Sequence, residues 1–588
     1  MVARETSAPS IVLLQLYPGE ADQPIECSSE SVLLSSDISY ETLSYCWGQP
    51  IRDIAITQDG TPTLITSSLF QALRRLRRPD RARTVWIDQL CIDLSNEAER
   101  STQVSVMQQI YRNAARGIIW LGELPTDADD CGFTAEDVEN AFEKLALFDP
   151  ERYDPSALGE TSGDCREKLG RVILSMMGSP HATWKAVRWW RRIWTVQEAQ
   201  LPPSSILQWG HLTVSFSLLK RIAVQMTRSG EYCTQWRQVF GVGWRINHFC
   251  TPLVNLQIHE PTGTLGTLFR WRERETTEPR DKIFALMGFF AEPPLPSIPS
   301  CDYSLSVVEL YKLVTLDLIR ENRGLLPLVG RRGEPRTTPG LPSWVFDWMY
   351  PEHPELRSGH TFFGNCRRWE HFACDGGRYI EPTVRGNDGL VLQGCRIDRI
   401  AILAPVRYVD HRVVTDEEFD DHAREIGGTF RNVFETWLDS QDPGISYIAG
   451  ESVSPLDAFR RTLIGDVVLP SDYTDYRASA EDAAAVDEQL NGGSTHVFHS
   501  LRDMVTSQSF FITQNGYFGI GPPGARVGDE VWAFLCGNYP HVLRENGGSA
   551  EVKEGGFVHV GDAYVHGIMD GEVFEDMGRV AVEEVVLY

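Results

Sequence analysis

Apolar residues along the first 210 positions recur in two rhythms. Short runs closed by glycine or an acid predict buried strands at 43–46 (Leu-Ser-Tyr-Cys), 84–87 (Thr-Val-Trp-Ile) and 118–121 (Ile-Ile-Trp-Leu). Between the first two, Leu69, Phe70, Leu73 and Leu76 share a helical face over 67–78, and Pro79 ends the run. Between the second and third, Val104, Met107, Ile110, Tyr111 and Ala114 do the same, with Asn96 and Glu99 spaced as a capping box. Strand, helix, strand, helix, strand with short links predicts a parallel sheet covered by helices. Helical patterns at 134–148, 164–178 and 185–200, and a strand at 205–209, complete one α/β domain over residues 40–210. Residues 1–39 read as a β-hairpin lead-in.

The pattern then changes. Residues 211–350 are mainly helical, with candidates at 216–228, 281–290 and 305–321 and Pro/Gly-rich connectors at 292–299 and 331–342. Residues 351–507 are mixed, acidic and helical, with a solvated Ala/Asp/Glu stretch at 479–488. Residues 508–588 predict a compact antiparallel β unit, in which Asn515-Gly516 is a hairpin tip between Phe510–Thr513 and Tyr517–Ile520. Gly519, Gly521 and Gly524 have the spacing of a dinucleotide fingerprint. That motif needs a helix N-terminus, and here Pro522-Pro523 and a further strand follow, so a β-turn is expected.

Composition narrows the function. Among 588 residues, 55 Lys+Arg against 81 Asp+Glu leave a net charge of −26, which argues against a nucleic-acid surface. Twelve scattered cysteines without a C-x-x-C pair suggest reduced thiols in a cytoplasmic chain. No leader and no apolar run long enough for a membrane span is visible. Nucleophile-elbow, Walker and zinc-protease motifs are missing, and His496/His499 read as unliganded, so neither cofactor nor metal is expected. The run Arg74, Arg75, Arg77, Arg78, Arg81 and Arg83 is either a solvated face or a surface for an anionic partner.

Two places carry candidate chemistry. Asp88 stands where the second strand ends, and open α/β sheets bind ligands beyond the carboxyl ends of their strands. It could equally cap the following turn. Arg188-Trp-Trp-Arg-Arg-Ile-Trp-Thr-Val-Gln-Glu198 is the densest cluster of functional side-chain types. On a helix Trp194 and Glu198 are i,i+4 neighbours. An indole plane beside a carboxylate suits a nucleoside; the alternative is an aromatic-rich core helix with an exposed Glu198 paired to Arg191 or Arg192.

Three blocks in order resemble the heterokaryon-incompatibility (HET) domain family of filamentous fungi: Tyr40-Glu-Thr-Leu-Ser-Tyr-Cys-Trp-Gly48, Val85-Trp-Ile-Asp-Gln-Leu-Cys-Ile-Asp93 and Arg192-Ile-Trp-Thr-Val-Gln-Glu198. Glu99-Arg100, Gln103, Met107, Ile110-Tyr111 and Ala114 fit as well, and Pro279–Gly288, Leu341–Val345 and Gly561–Met569 resemble long members. The second block departs from the family, which usually closes with Asn-Gln where this chain has Asp93-Leu94. The resemblance implies a TIR-like, flavodoxin-like sheet and a role in non-self recognition and programmed cell death through assembly with protein partners, homotypic HET–HET contact among them. It also implies an alternative: NAD as substrate of an NAD-cleaving enzyme, with Glu198 catalytic and Trp194, Asp88 and Trp47 binding substrate.

Overall fold

The computed structural model describes residues 9–588 except 21, 36, 50, 94–95, 127–130, 179–187, 242–248, 251–252, 254–262, 291–294, 330–336, 350–367, 405–415, 443–446, 449–452, 471–473, 507, 547–555 and 576–580. The chain divides into two compact units, one of residues up to 294 with 299–304, the other of 295–298 and 305–588.

The N-terminal unit is built on one sheet. Its strands are β1 (Ser10–Leu16), β2 (Glu26–Leu33), β3 (Glu41–Tyr45), β4 (Arg52–Gln58), β5 (Thr61–Thr66), β6 (Arg83–Trp86), β7 (Arg116–Trp120), β8 (Ser205–Trp209) and β9 (Leu212–Ser215). Their order is β5-β4-β2-β1-β6-β3-β7-β8-β9. The three strands read from sequence are neighbours: β3 lies between β6 and β7 and runs parallel to both. β8 extends this parallel core beside β7. Helices Ser67–Leu76 and Glu97–Asn113 are crossover elements on either side of β6 in sequence, as their apolar spacing requires.

The parallel sheet expected over 40–210 is corrected to a mixed one. β1 runs antiparallel to β2 and to β6, and β4–β5 and β8–β9 are antiparallel hairpins, so the sheet is mixed. A hairpin needs only a tight turn: Asp59 and Gly60 both adopt positive φ, 52° and 76°, between β4 and β5. The lead-in hairpin is therefore part of the sheet, and position 210 falls inside the β8–β9 hairpin. The arginine run is not one solvated face. Arg75 pairs with Glu123 at 2.6 Å, Arg83 pairs with Glu41, and buried Arg77 donates to the carbonyls of Pro24 and Gln23.

The C-terminal unit turns on a strand the sequence reading missed. Gly389–Leu403, fifteen residues long, lies inside the segment read as acidic and helical. It pairs antiparallel with Ser509–Thr513, Glu530–Phe534 and Glu583–Leu587. From Glu530–Phe534 the ladder continues through His541–Glu545, Phe557–Asp562 and Glu583–Leu587 back to Gly389–Leu403, which closes a barrel. Closure at this diameter brings backbones close: a Cβ on Gly394 would sit 2.3 Å from the Ala533 carbonyl oxygen. One pairing, Phe557 with Leu587, is parallel, so the unit is not purely antiparallel.

The hairpin at Asn515-Gly516 is present, with Gly516 at φ 95°. No helix starts at Pro522; Gly519 lies in strand Phe518–Gly521, where the Phe511 ring occupies the space of a Cβ. The 479–488 stretch is helix Ala480–Leu490, but Ala483, Val486 and Gln489 pack inward, so it is only half solvated. His496 hydrogen-bonds Asp482 at 2.5 Å. Among the described residues no helix is long and apolar enough to cross a membrane.

Candidate functional site

β3 ends in two consecutive residues whose polar atoms organise the end of the parallel core. Successive strand side chains point to opposite faces. On one face Ser44 takes the indole N–H of Trp189 at 2.6 Å and donates its own proton to Oε2 of Glu198. On the other, the Tyr45 hydroxyl donates to Gln89 Oε1 at 3.1 Å. The Tyr45 carbonyl accepts Nη1 of Arg192 at 2.7 Å. Beyond the ends of β3 and β6, the indole N–H of half-buried Trp47 donates to Asp88 Oδ2 at 2.9 Å, and the Arg52 guanidinium lies 5.9 Å from the Trp47 ring centre. Asp88 Oδ1 also accepts the adjacent Gln89 backbone N–H at 2.7 Å, and Asp88 is the first residue of the short helix Asp88–Cys91, whose N-cap Ile87 makes no side-chain cap bond.

Glu198 therefore points at the strand ends and not outward beside Arg191, which meets Glu275 at 3.8 Å. It is 5% exposed. Burial pushes its carboxyl up to about 7, opposed by the Arg192 guanidinium and the Ser44 hydroxyl and reinforced by the negative charge of Asp88. Asp88 is also held above the ordinary carboxylate range by burial, with Arg192 and the Trp47 indole pulling the other way. Cys46, next to Ser44, has its thiol pushed up to about 11 by burial. The arrangement sets two perturbed carboxyls against one guanidinium at the carboxyl ends of parallel strands, where α/β sheets place their sites.

Trp194 does not join Glu198. Its indole N–H donates to Asp281 Oδ2 at 2.9 Å, and Asp281 further accepts from Tyr303 at 2.7 Å and Thr276 at 3.2 Å. The long helix expected over 185–200 is shorter among the described residues. Residues 185–187 lie outside the described residues, Arg188–Arg191 form a 3-10 turn, and the helix proper is only Thr195–Gln200. Between them Arg192 forms an isolated parallel bridge with Glu275, in which the Ile193 N–H bonds the Glu275 carbonyl at 3.0 Å and the Arg191 carbonyl accepts the Glu275 N–H. A continuous helix would spend those groups internally. Trp194 is the N-cap residue of that helix and its carbonyl accepts the Glu198 N–H at 3.3 Å, while its indole is directed to Asp281.

Of the sequence candidates, the structure gathers Glu198, Asp88 and Trp47 around the strand ends and directs Trp194 to Asp281. Ser44, Trp189 and Arg192 complete the cluster. Ser44 and Arg192 lie within the motif blocks and Trp189 three residues before the third, but only the tertiary structure shows that residues 44 and 198 touch. Asp281 gave no signal beyond its place in Pro279–Gly288.

An α/β unit with a polar cluster at its strand ends, in a chain that also carries a closed β-barrel, is the class defined so far. The family described as "Heterokaryon incompatibility protein (HET)" matches residues 40–198, and "Het-6 beta-barrel domain" matches 462–581. The chain is 24% identical to "Heterokaryon incompatibility protein 6, OR allele" of Neurospora crassa, over 98% of this chain and 96% of that protein. No solved structure matches. The chain is thus similar to heterokaryon-incompatibility proteins over nearly its whole length and carries matches to both of these domains. The barrel match begins at 462, so it does not include strand Gly389–Leu403, on which closure depends.

Proposed function

We propose that this chain acts in non-self recognition that ends in cell death, in the cytoplasm, with the N-terminal unit as the effector and HET–HET or HET–partner assembly as its mode of action. The near full-length similarity to a heterokaryon incompatibility protein carries the role. Assembly is supported by the way the polar side chains are committed. Trp194 is held by Asp281, and Glu198 by Ser44 within the unit, so the indole and carboxylate are not jointly presented to a nucleoside. A TIR-like relationship is supported by the four parallel strands at the sheet centre.

A second reading, NAD cleavage, is favoured by one observation: Glu198 is aimed at the strand ends with its carboxyl pushed up to about 7. Cleaving an N-glycosidic bond develops positive charge on the ribose, which an ionised carboxylate would stabilise. Asp88 and Trp47 would then contact substrate. The test of both is expression of wild type and Glu198→Gln at matched soluble levels in a fungal host, following death and cellular NAD. Assembly predicts that the variant kills with NAD unchanged. Loss of killing, with NAD falling only in wild type, supports the enzyme and overturns assembly alone.

A further inference from the structure

The Trp189–Ser44–Glu198 chain has a direction imposed by chemistry. An indole nitrogen carries one proton and no usable lone pair, so Trp189 Nε1 can only donate. Ser44 Oγ, 2.6 Å away, must therefore accept on that side. Its single proton is left for the other neighbour, Oε2 of Glu198. Were Ser44 to accept from a protonated Glu198 instead, its own proton would have to find a third partner within a site where Ser44 is 2% and Trp189 1% exposed. The ladder of β3 with β7, which pairs Ser44 with Ile119, fixes the serine, and Thr195 Oγ1 ties the following helix to the Trp189 carbonyl at 3.0 Å.

We propose that Trp189 and Ser44 are positioning residues for Glu198, a one-way donor relay that orients the carboxylate at the strand ends and favours its ionised form. This rests on the second reading above, in which the Glu198 cluster is the working part of the N-terminal unit. The relay joins Trp189, three residues before the third motif block, through Ser44 of the first block to Glu198 of the third. Arg192, Asp88, Cys46, Tyr45 and Tyr111 are the other ionisable groups that act on this carboxyl or respond to it. Of these only Arg192 reinforces the relay; Asp88 works against it.

The test is a titration of the full chain labelled with 13C-carboxyl glutamate, in which the Glu198 signal is the one missing from Glu198→Gln. Ser44→Ala removes the donor to the charged form, so the Glu198 midpoint should rise by about one to two pH units. Trp189→Phe keeps a ring but leaves the serine free to turn, so the midpoint should rise there too, by less. Packing alone predicts no such movement in Trp189→Phe, where the lost proton does not touch the carboxylate. Unmoved midpoints in both variants overturn the relay; so does a fall in either. If the midpoints rise while Glu198→Gln kills as wild type does, the relay stands and the reading of Glu198 as the working group falls.

Discussion

Trp194 and Glu198, four residues apart, serve different neighbourhoods: the indole N–H of Trp194 lies 2.9 Å from Asp281, while Glu198 takes the proton of Ser44. The spacing that suggested one aromatic–carboxylate surface holds in the backbone, where the Trp194 carbonyl accepts the Glu198 N–H at 3.3 Å, but the two side chains are committed to different partners. One consequence is that the N-terminal unit depends on residues well beyond 198, through Asp281 and Tyr303.

That dependence is measurable. Asp281→Ala leaves the donors of Trp194, Tyr303 and Thr276 without their shared acceptor, and should cost about 3 kcal/mol or more in urea unfolding. Trp194→Phe keeps most of the ring and should cost less. In the double variant the two losses should fall short of additivity, since each removes the same bond.

Glu198 sets a slope of stability with pH. Its carboxyl is raised in the folded chain to about 7 from an ordinary 4.5, so the folded state binds more protons between those values. The contribution is fully present below pH 4.5 and is lost as pH rises through 7, to a total of about 3 kcal/mol. Glu198→Gln should flatten this limb. The check is the difference between wild-type and variant melting temperatures from pH 4.5 to 8; a difference that does not change with pH would refute it.

The barrel has the opposite sign. His541 and His559 are buried, with Nδ1 of the first 3.0 Å from Nε2 of the second, and burial lowers His541 to about 3. Here the unfolded state binds the proton more readily, so stability present above pH 6.5 is lost as pH falls towards 3. His541→Leu should weaken this acid sensitivity, read as a lower midpoint of acid unfolding by tryptophan fluorescence.

Two glycines should respond oppositely to alanine. Gly394→Ala sets a Cβ 2.3 Å from a backbone carbonyl oxygen at the barrel seam, where no side chain can give way. A loss of about 2–3 kcal/mol is expected in denaturant unfolding of the C-terminal unit. Gly428, in helix Asp416–Asp439, has open space where its Cβ would stand, and Gly428→Ala should stabilise by about 0.5–1 kcal/mol.

Local pattern was enough to locate β3, β6 and β7 and the helices between them, because burial on one face imposes a period that survives in the sequence. The hairpin at Asn515-Gly516 was legible for a related reason: positive φ restricts the turn to few residue types. A parallel sheet over 40–210 was not a safe extrapolation. The hairpins β4–β5 and β8–β9 add antiparallel pairs at its two ends, and their strands carry the same local signal whichever neighbour they pair with.

The sequence by itself determined the motif blocks, the central strand–helix alternation and the presence of Glu198 and Asp88 near chemically capable neighbours. Only the tertiary structure decided that Ser44 meets Glu198 across 154 positions, that Trp194 turns to Asp281, and that Gly389–Leu403 closes the barrel. The physical reason is common to all three. Hydrogen bonds between distant segments leave no periodicity along the chain; their partners are chosen by strand register and by which backbone groups a neighbouring segment leaves to be satisfied.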